Sequence, residues 1–105
     1  MHMEVAYRGA PADLGLKRYV GLRLMSALDQ FERDVEGVTV LLHDVGEAEG
    51  EAGVEQRCRI VARLDFEVQV AAEHTGAGMY ASIDGAAERL ADLVRLAATA
   101  RVAIR

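Results

Sequence analysis

The chain has one cysteine and one proline in 105 residues, and each scarcity removes a class of protein. A lone thiol, Cys58, permits no internal disulfide, so the stapled framework of small secreted proteins is excluded and a reduced, cytoplasmic setting is expected. A single proline beside 51% hydrophobic and 28% charged residues is a globular balance, unlike that of fibrous or disordered chains. Long apolar runs are missing too. Nothing approaches the roughly 18 to 20 consecutive apolar residues that span a bilayer, and the amino terminus carries no apolar run behind a basic start. Neither export nor membrane insertion is expected. Met1-His2-Met3 is of a kind that cloning leaves behind, which bears only on the edge of the first strand.

Basic charge is also in short supply: 12 Lys and Arg stand against 17 Asp and Glu, a net charge of -5. Taken bluntly, that argues against a nucleic-acid partner, because phosphate binding is dominated by Lys and Arg. The distribution reverses the argument. In "DVGEAEGEAGVE", Asp44, Glu47, Glu49, Glu51 and Glu55 lie among glycines and alanines without one basic residue, so this segment carries the whole excess and the remainder is neutral. Too polar to bury apolar surface, the segment of about 44–55 reads as a solvated loop between two strands. It serves either solubility or attraction of a basic partner.

The length sets one domain over 1–105, with one core. "MEVAYR" alternates, placing Met3, Val5 and Tyr7 on one face of a strand. Gly9-Ala10-Pro11 breaks it, and Asp13 is placed to cap a helix running to about Arg33. On that helix Leu16, Val20, Leu24, Ala27, Leu28 and Phe31 form one stripe, which Gly15 and Gly21 weaken without abolishing. "GVTVLLHD" and "EQRCRIVARL" alternate as strands, and "FEVQVAAEH" continues with Val68, Val70 and Ala72 on one side and Glu67, Gln69 and Glu73 on the other. A final helix carries Met79, Ile83, Ala87, Leu90, Val94 and Ala97 on one stripe, with Asp84, Glu88 and Asp92 outside. The order βαβββα predicts an α+β fold: a two-layer domain with a four-stranded mixed sheet and two helices on one face. Its first two strands should be parallel and the later ones antiparallel.

Alternation in the third strand has a chemical consequence. If Cys58, Ile60, Ala62 and Leu64 face the helices, Arg57, Arg59 and Arg63 stand on the open face. Three guanidinium groups in a row suit phosphate; alternatively Glu4, Glu67, Gln69 and Glu73 neutralise them across the strands. Lys17 and Arg18 in the first turn of helix one, and Arg89 and Arg95 on helix two, add scattered positive charge. Catalytic patterns are lacking: no nucleophile elbow, phosphate-cradling glycine loop or metal-ligand spacing occurs. No catalytic residue, metal or cofactor is therefore expected. His43 and His74 should end strands two and four at the same end of the sheet, roughly 10 Å apart with strand three between them, too far to share a metal. Cys58 reads as a small core residue. Leu22 and Met25 fall opposite the core stripe of helix one, as Leu96 does on helix two, and their three-residue spacing makes a small protein-contact patch.

The element order together with "MYASIDGAAERL" resembles the family of ribosome hibernation-promoting factors and ribosome-associated translation inhibitors, whose closing helix opens with an Asp-Met-Tyr-Ala-Ala-Ile-Asp pattern. Met79, Tyr80, Ala81, Ile83 and Asp84 match, Ser82 replaces an alanine, and Arg89-Leu90 stands for a Lys-Leu pair. "LKRYVGLRL", Leu16 to Leu24, is similar to the family's Leu-Arg-x-Tyr-Val pattern, and "QRCRIVARL" to its third strand. The resemblance spans essentially the whole chain. It implies a cytoplasmic, non-enzymatic factor of the stress response that binds the ribosomal RNA of the small subunit, inhibiting translation or stabilising idle ribosomes. The basic positions that match are Lys17, Arg89 and the strand-three arginines Arg57, Arg59 and Arg63; with Arg18 and Arg95 added for their charge, these are the candidate RNA-binding residues. The chain departs from the family pattern at Gly78, where an aspartate is expected, and at Asp92, where a basic residue is usual. The lysine-rich end of the last helix is reduced to Arg95, Arg101 and Arg105, and the long form's carboxy-terminal domain is absent from this sequence. The departures imply phosphate binding that is weaker or moved to the sheet arginines. They leave open an alternative, a divergent member without ribosome binding that acts as a protein-interaction or dimerisation module, or homo-oligomer, through Leu22 and Met25.

Overall fold

The structure, a computed structural model, describes residues 2–8, 14–44, 56–65 and 67–104, with the side chains of the last helix described to residue 100. Asp13, the acidic segment beyond Asp44, Arg101 and Arg105 lie outside the residues whose side chains are described. The elements are β1 (His2–Arg8), α1 (Leu14–Ala27), a 3-10 segment (Asp29–Asp34), β2 (Val35–Asp44), β3 (Gln56–Leu64), β4 (Gln69–Gly76) and α2 (Met79–Ile104). The sheet order is β1-β2-β3-β4. β1 is parallel to β2, and the other two pairs are antiparallel. This is the expected two-layer α+β domain.

Period-two alternation sorts the strands. Val38, Val40 and Leu42 of β2 and Cys58, Ile60, Ala62 and Leu64 of β3 are buried. They pack against Val20, Leu24 and Leu28 from the first helical segment and Ile83, Leu90 and Val94 of α2. Each fully buried aliphatic side chain of this kind contributes about 1.5–3 kcal/mol relative to exposure. Cys58 is part of this core, and burial pushes its thiol up to about 12. It is therefore protonated and unreactive at neutral pH.

Helix one is shorter than its stripe predicts. The α-helix stops at Ala27 and continues as the 3-10 segment, where Phe31 departs from helical geometry at φ -118°. Phe31 N–H donates to the Leu28 carbonyl at 2.9 Å, an i to i+3 bond. At three residues per turn Leu28 and Phe31 fall directly over one another, so both stay on the core while the chain tightens toward Val35. A stripe read at 3.6 residues per turn does not register that change.

β4 is displaced as well. Val68 lies in the turn before it rather than in the strand, 36% exposed, and its carbonyl accepts from Leu64 N–H at 2.8 Å. Glu67 has φ +59°, the left-handed region, which reverses the chain here and takes its side chain out of the strand's alternation. At the other end β4 runs two residues beyond His74, to Gly76. His43 and His74 share one end of the sheet as expected, but point to opposite faces: Leu42 pairs with Cys58 and Cys58 with His74, so His74 shares the buried Cys58 face and His43 the open one.

Gly85 explains how a histidine fits among the helices. A Cβ built at Gly85 would collide with the His74 ring, so the missing side chain lets the imidazole lie against α2. Gly85→Ala should therefore destabilise the protein by about 1–3 kcal/mol. In a His74→Ala background the same change should stabilise it by about 0.5–1 kcal/mol, the helix propensity of alanine over glycine. Denaturant unfolding of the four proteins reads this reversal; equal effects in the two backgrounds would refute the contact.

Candidate nucleic-acid interface

The open face of the sheet is laid out in four rows by the strand registers. From the β2–β3 connection inward they are Arg8–His43–Arg57–Thr75, Ala6–Leu41–Arg59–Glu73, Glu4–Thr39–Val61–Ala71 and His2–Gly37–Arg63–Gln69. Neighbouring positions in a row are about 4.8 Å apart, so each row spans the sheet as a line of adjacent side chains. The three β3 arginines stand together here as the alternation requires. Arg8 joins them from β1, unpredicted, because its column becomes visible only once the parallel register of β1 on β2 is known.

Neutralisation across the strands is partial. Arg57 Nε meets Glu73 Oε2 at 3.5 Å, both side chains about two-fifths exposed, an arrangement that water and salt screen readily. Arg63 donates to Thr39 Oγ1 at 3.1 Å and lies where a side chain at Gly37 would stand, so its guanidinium is drawn flat across β2. Glu4 is turned to His2, 3.9 Å away. Gln69 carries no charge, and Glu67 is in the turn. Among the described residues, Arg8 and Arg59 have no ion-pair partner. The face thus presents four arginines against two glutamates, with Leu41 and Val61 between them.

The helix layer disposes of its charges differently. Asp84 accepts from Tyr19 Oη at 2.6 Å and from Arg23 Nε at 2.8 Å. Arg23 also reaches Glu88 at 3.9 Å. The Tyr19 ring meets Tyr80 edge-on, centroids 4.8 Å apart. Tyr19 belongs to the helix-one motif and Tyr80 and Asp84 to the helix-two motif, so the two motifs meet as one brace between parallel-running helices. Ser82, buried in the same turn of α2, donates from Oγ to the Gln56 carbonyl at 2.5 Å, with the Gly78 carbonyl 2.9 Å away. The hydroxyl that replaces an alanine ties α2 to the start of β3. At Gly78 a Cβ would meet nothing within 4 Å, so the backbone there leaves room for a side chain to begin.

The remaining predicted residues do not converge on the sheet face. Lys17 and Arg18 are exposed on α1, in the other layer. Arg95 pairs with Asp92 one turn away, at 2.5 Å. Arg89 donates to the backbone carbonyl of Glu73 at 3.4 Å, reaching the edge strand β4. Leu22 and Met25 are 61% and 64% exposed, and Leu96 63%. No group of acidic, histidine or cysteine side chains able to hold a metal occurs among the described residues. Among the described residues no helix is long and apolar enough to cross a membrane.

The fold is thus a two-layer α+β domain with one bare, arginine-bearing sheet face. Residues 3–101 match the family described as sigma 54 modulation protein / S30EA ribosomal protein, and the chain belongs to that family. The resemblance to the hibernation factors is thereby borne out, and the family is not one of enzymes. The N-terminal domain of Protein Y from Thermus thermophilus is similar in structure, with TM-score 0.74 and 23% identity over 90% of this chain and 96% of that one. A ribosomal subunit interface protein from Coxiella burnetii is similar too, with TM-score 0.80 and 12% identity over 94% and 99% of the two chains. At these identities the likenesses show the shared fold. No curated protein sequence matches the chain.

The brace sets a pH window. Its hydrogen bond from Tyr19, aided by Arg23, holds the Asp84 carboxyl below the ordinary aspartate value, against a smaller opposing effect of burial. The bond to Asp84, with burial and the negative charge adding to it, raises Tyr19 above the ordinary tyrosine value. A lowered acid stabilises the fold above its unfolded value and loses that contribution as pH falls through the folded one; a raised tyrosine contributes below its unfolded value and loses it at alkaline pH. Asp84→Asn should therefore lower the thermal midpoint at neutral pH, and the gap from wild type should begin to narrow below about pH 3.9 and close only at the lower pH where the folded carboxyl is itself protonated. Melts across pH measure this; a gap that persists unchanged into acid would remove the brace from the account.

Proposed function

We propose that this chain is a cytoplasmic, ribosome-associated factor that binds the small ribosomal subunit and acts by occupancy, inhibiting translation or stabilising idle ribosomes under stress. Residues 1–105 form its single domain. Family membership supports association with the ribosome, and the Coxiella burnetii protein is described as a ribosomal subunit interface protein. The observation that carries the reading for this chain is the open sheet face, where Arg57, Arg59 and Arg63 share a column and Arg59 has no ion-pair partner among the described residues. Those arginines are assigned to ribosomal RNA phosphates. Lys17 and Arg18 belong to the opposite layer and can serve only a second contact; Arg89, at the β4 edge, and Arg95, paired with Asp92, would have to exchange their present partners for phosphate.

Co-sedimentation with purified small subunits across a salt series tests the reading. Three phosphate contacts give a log–log salt slope of about -2 to -3. A variant with Arg57, Arg59 and Arg63 changed to Gln should lose most of the binding and most of that slope. Absence of wild-type binding at low salt would overturn the proposal.

One observation favours a second reading, a protein contact through Leu22 and Met25, which are exposed and adjacent on α1. Changing both to Ser should leave subunit binding unchanged and the stability within about 0.5 kcal/mol of wild type, as surface changes do, and abolish any self-association. Sedimentation velocity reads that; a chain monomeric at high concentration before and after the change counts against a homodimeric module.

A further inference from the structure

β1 ends the sheet on one side and β4 on the other, and the two edges are finished differently. Along β4, α2 lies close enough for Arg89 to donate to the Glu73 backbone carbonyl at 3.4 Å. β1 has no strand on its outer side among the described residues, pairs with β2 without a register shift from His2 to Arg8, and contains no proline. Prolines and bulges are among the devices that blunt an edge, and β1 has neither. We infer that the outer edge of β1 pairs with β1 of a second copy of this chain, antiparallel about a two-fold axis at Ala6, joining two four-stranded sheets into one.

The side chains select both the occupant and the register. A two-fold axis perpendicular to the sheet keeps both helix layers on one side and sets residues of like parity opposite each other. With the axis at Ala6, Glu4 stands across from Arg8 of the other copy, and by symmetry Arg8 across from its Glu4, with Cβ atoms about 4.5–5.5 Å apart. Opposite charges thus meet twice. Moving the axis to Val5 sets Arg8 against His2 and Glu4 against Ala6, and moving it to Glu4 sets two carboxylates together, which is destabilising. The edge complements itself in one register, and that register runs from Glu4 to Arg8, clear of Met1-His2-Met3.

Both charges are placed to take part. Arg8 is exposed and has no ion-pair partner among the described residues. Glu4 lies 3.9 Å from His2 with both side chains largely exposed, a contact that water and salt screen. The other face of the strand supplies apolar area. Val5 and Tyr7 share the face of Val40 and Leu42 on β2, yet they are half-buried where Val40 and Leu42 are at most 1% exposed. About Ala6, Val5 falls opposite Tyr7 of the second copy, an aromatic and β-branched pair of the kind that stabilises adjacent strands. The second copy covers what the helix layer leaves uncovered. In the joined sheet the two open faces lie side by side, so the inference goes beyond the proposed function without resting on it.

Analytical ultracentrifugation of the whole chain tests the edge, at about 0.15 M salt to screen repulsion between two acidic molecules and at concentrations up to about 1 mM. Wild type should form a dimer. Glu4→Arg alone and Arg8→Glu alone each turn two attractive pairs into two repulsive ones, and each should weaken the dimer roughly tenfold or more. An equimolar mixture of the two variants, and the double variant Glu4→Arg/Arg8→Glu, restore opposite charges at every pair and should associate within about twofold of wild type. Only the pairing of position 4 with position 8 of another copy gives that rescue, which separates it from a contact through Leu22 and Met25. A wild type monomeric at every concentration overturns the inference, as do single reversals that leave association unchanged. Loss in the single variants without rescue in the mixture overturns the pairing about Ala6.

Discussion

Two helices cover one face of a four-stranded sheet and no more, and the functional surface follows from which residues alternation sends to the other side. β3 is decisive because it lies inside the sheet, paired on both edges. From Cys58 to Leu64 its inward residues are small or aliphatic and fully buried, which fixes the register, since a slip of one residue would drive three arginines into the core. The energetics of the core and the chemistry of the open face are thus the same choice. Substitutions that keep one face of β3 apolar leave the other free to carry guanidinium groups at the spacing of alternate residues.

The acidic outer face of α2 seemed at odds with an RNA-binding relationship, and the brace resolves it. Asp84 is directed sideways to Tyr19 and Arg23 of α1, and Asp92 to Arg95. What the Tyr-Val and Met-Tyr-x-x-Ile-Asp motifs hold in common is a packing contact between helices, which a small domain needs to orient its only covering layer. Ser82 adds a second tie, from α2 to the backbone at Gln56. These motifs therefore report the fold with high specificity and the ligand with little, which is why belonging to a family does not by itself locate a binding surface.

The parts of this architecture legible in the sequence were those with one dominant period. The stripe Ile83, Leu90, Val94 and the alternation Cys58 to Leu64 could be read directly, because burial of one face tolerates few exceptions. Where two geometries preserve the same buried residues, the sequence was ambiguous: Leu28 and Phe31 reach the core from an α-helix or a 3-10 turn alike, and only the need to reach Val35 selects the latter. Val68 looked like a strand residue because its apolar character suits either place, whereas the left-handed Glu67 before it has no signature as clear as a glycine's. The candidate site was half legible. Arg57, Arg59 and Arg63 follow from alternation within one strand, but His43 joins them only through the pairing of β2 with β3, and Arg8 through the pairing of β1 with β2, strands whose paired residues are more than thirty positions apart. Lys17 was grouped with them by resemblance and Arg18 by charge, and neither signal carries a direction.

Net charge is a poor guide for the same reason. At physiological ionic strength the Debye length is about 8 Å, so a partner docking on the sheet responds chiefly to the charges of that face. There, four arginines oppose two glutamates, while the excess negative charge of the chain resides in 44–55 and the helical carboxylates are engaged with Tyr19, Arg23 and Arg95. A protein with a sequence pI near 5.1 can therefore hold phosphate on one surface without reversing its overall sign. The overall negative charge instead disfavours nonspecific adhesion to nucleic acid through the rest of the surface. Such a division confines affinity for phosphate to the geometry in which that face is presented.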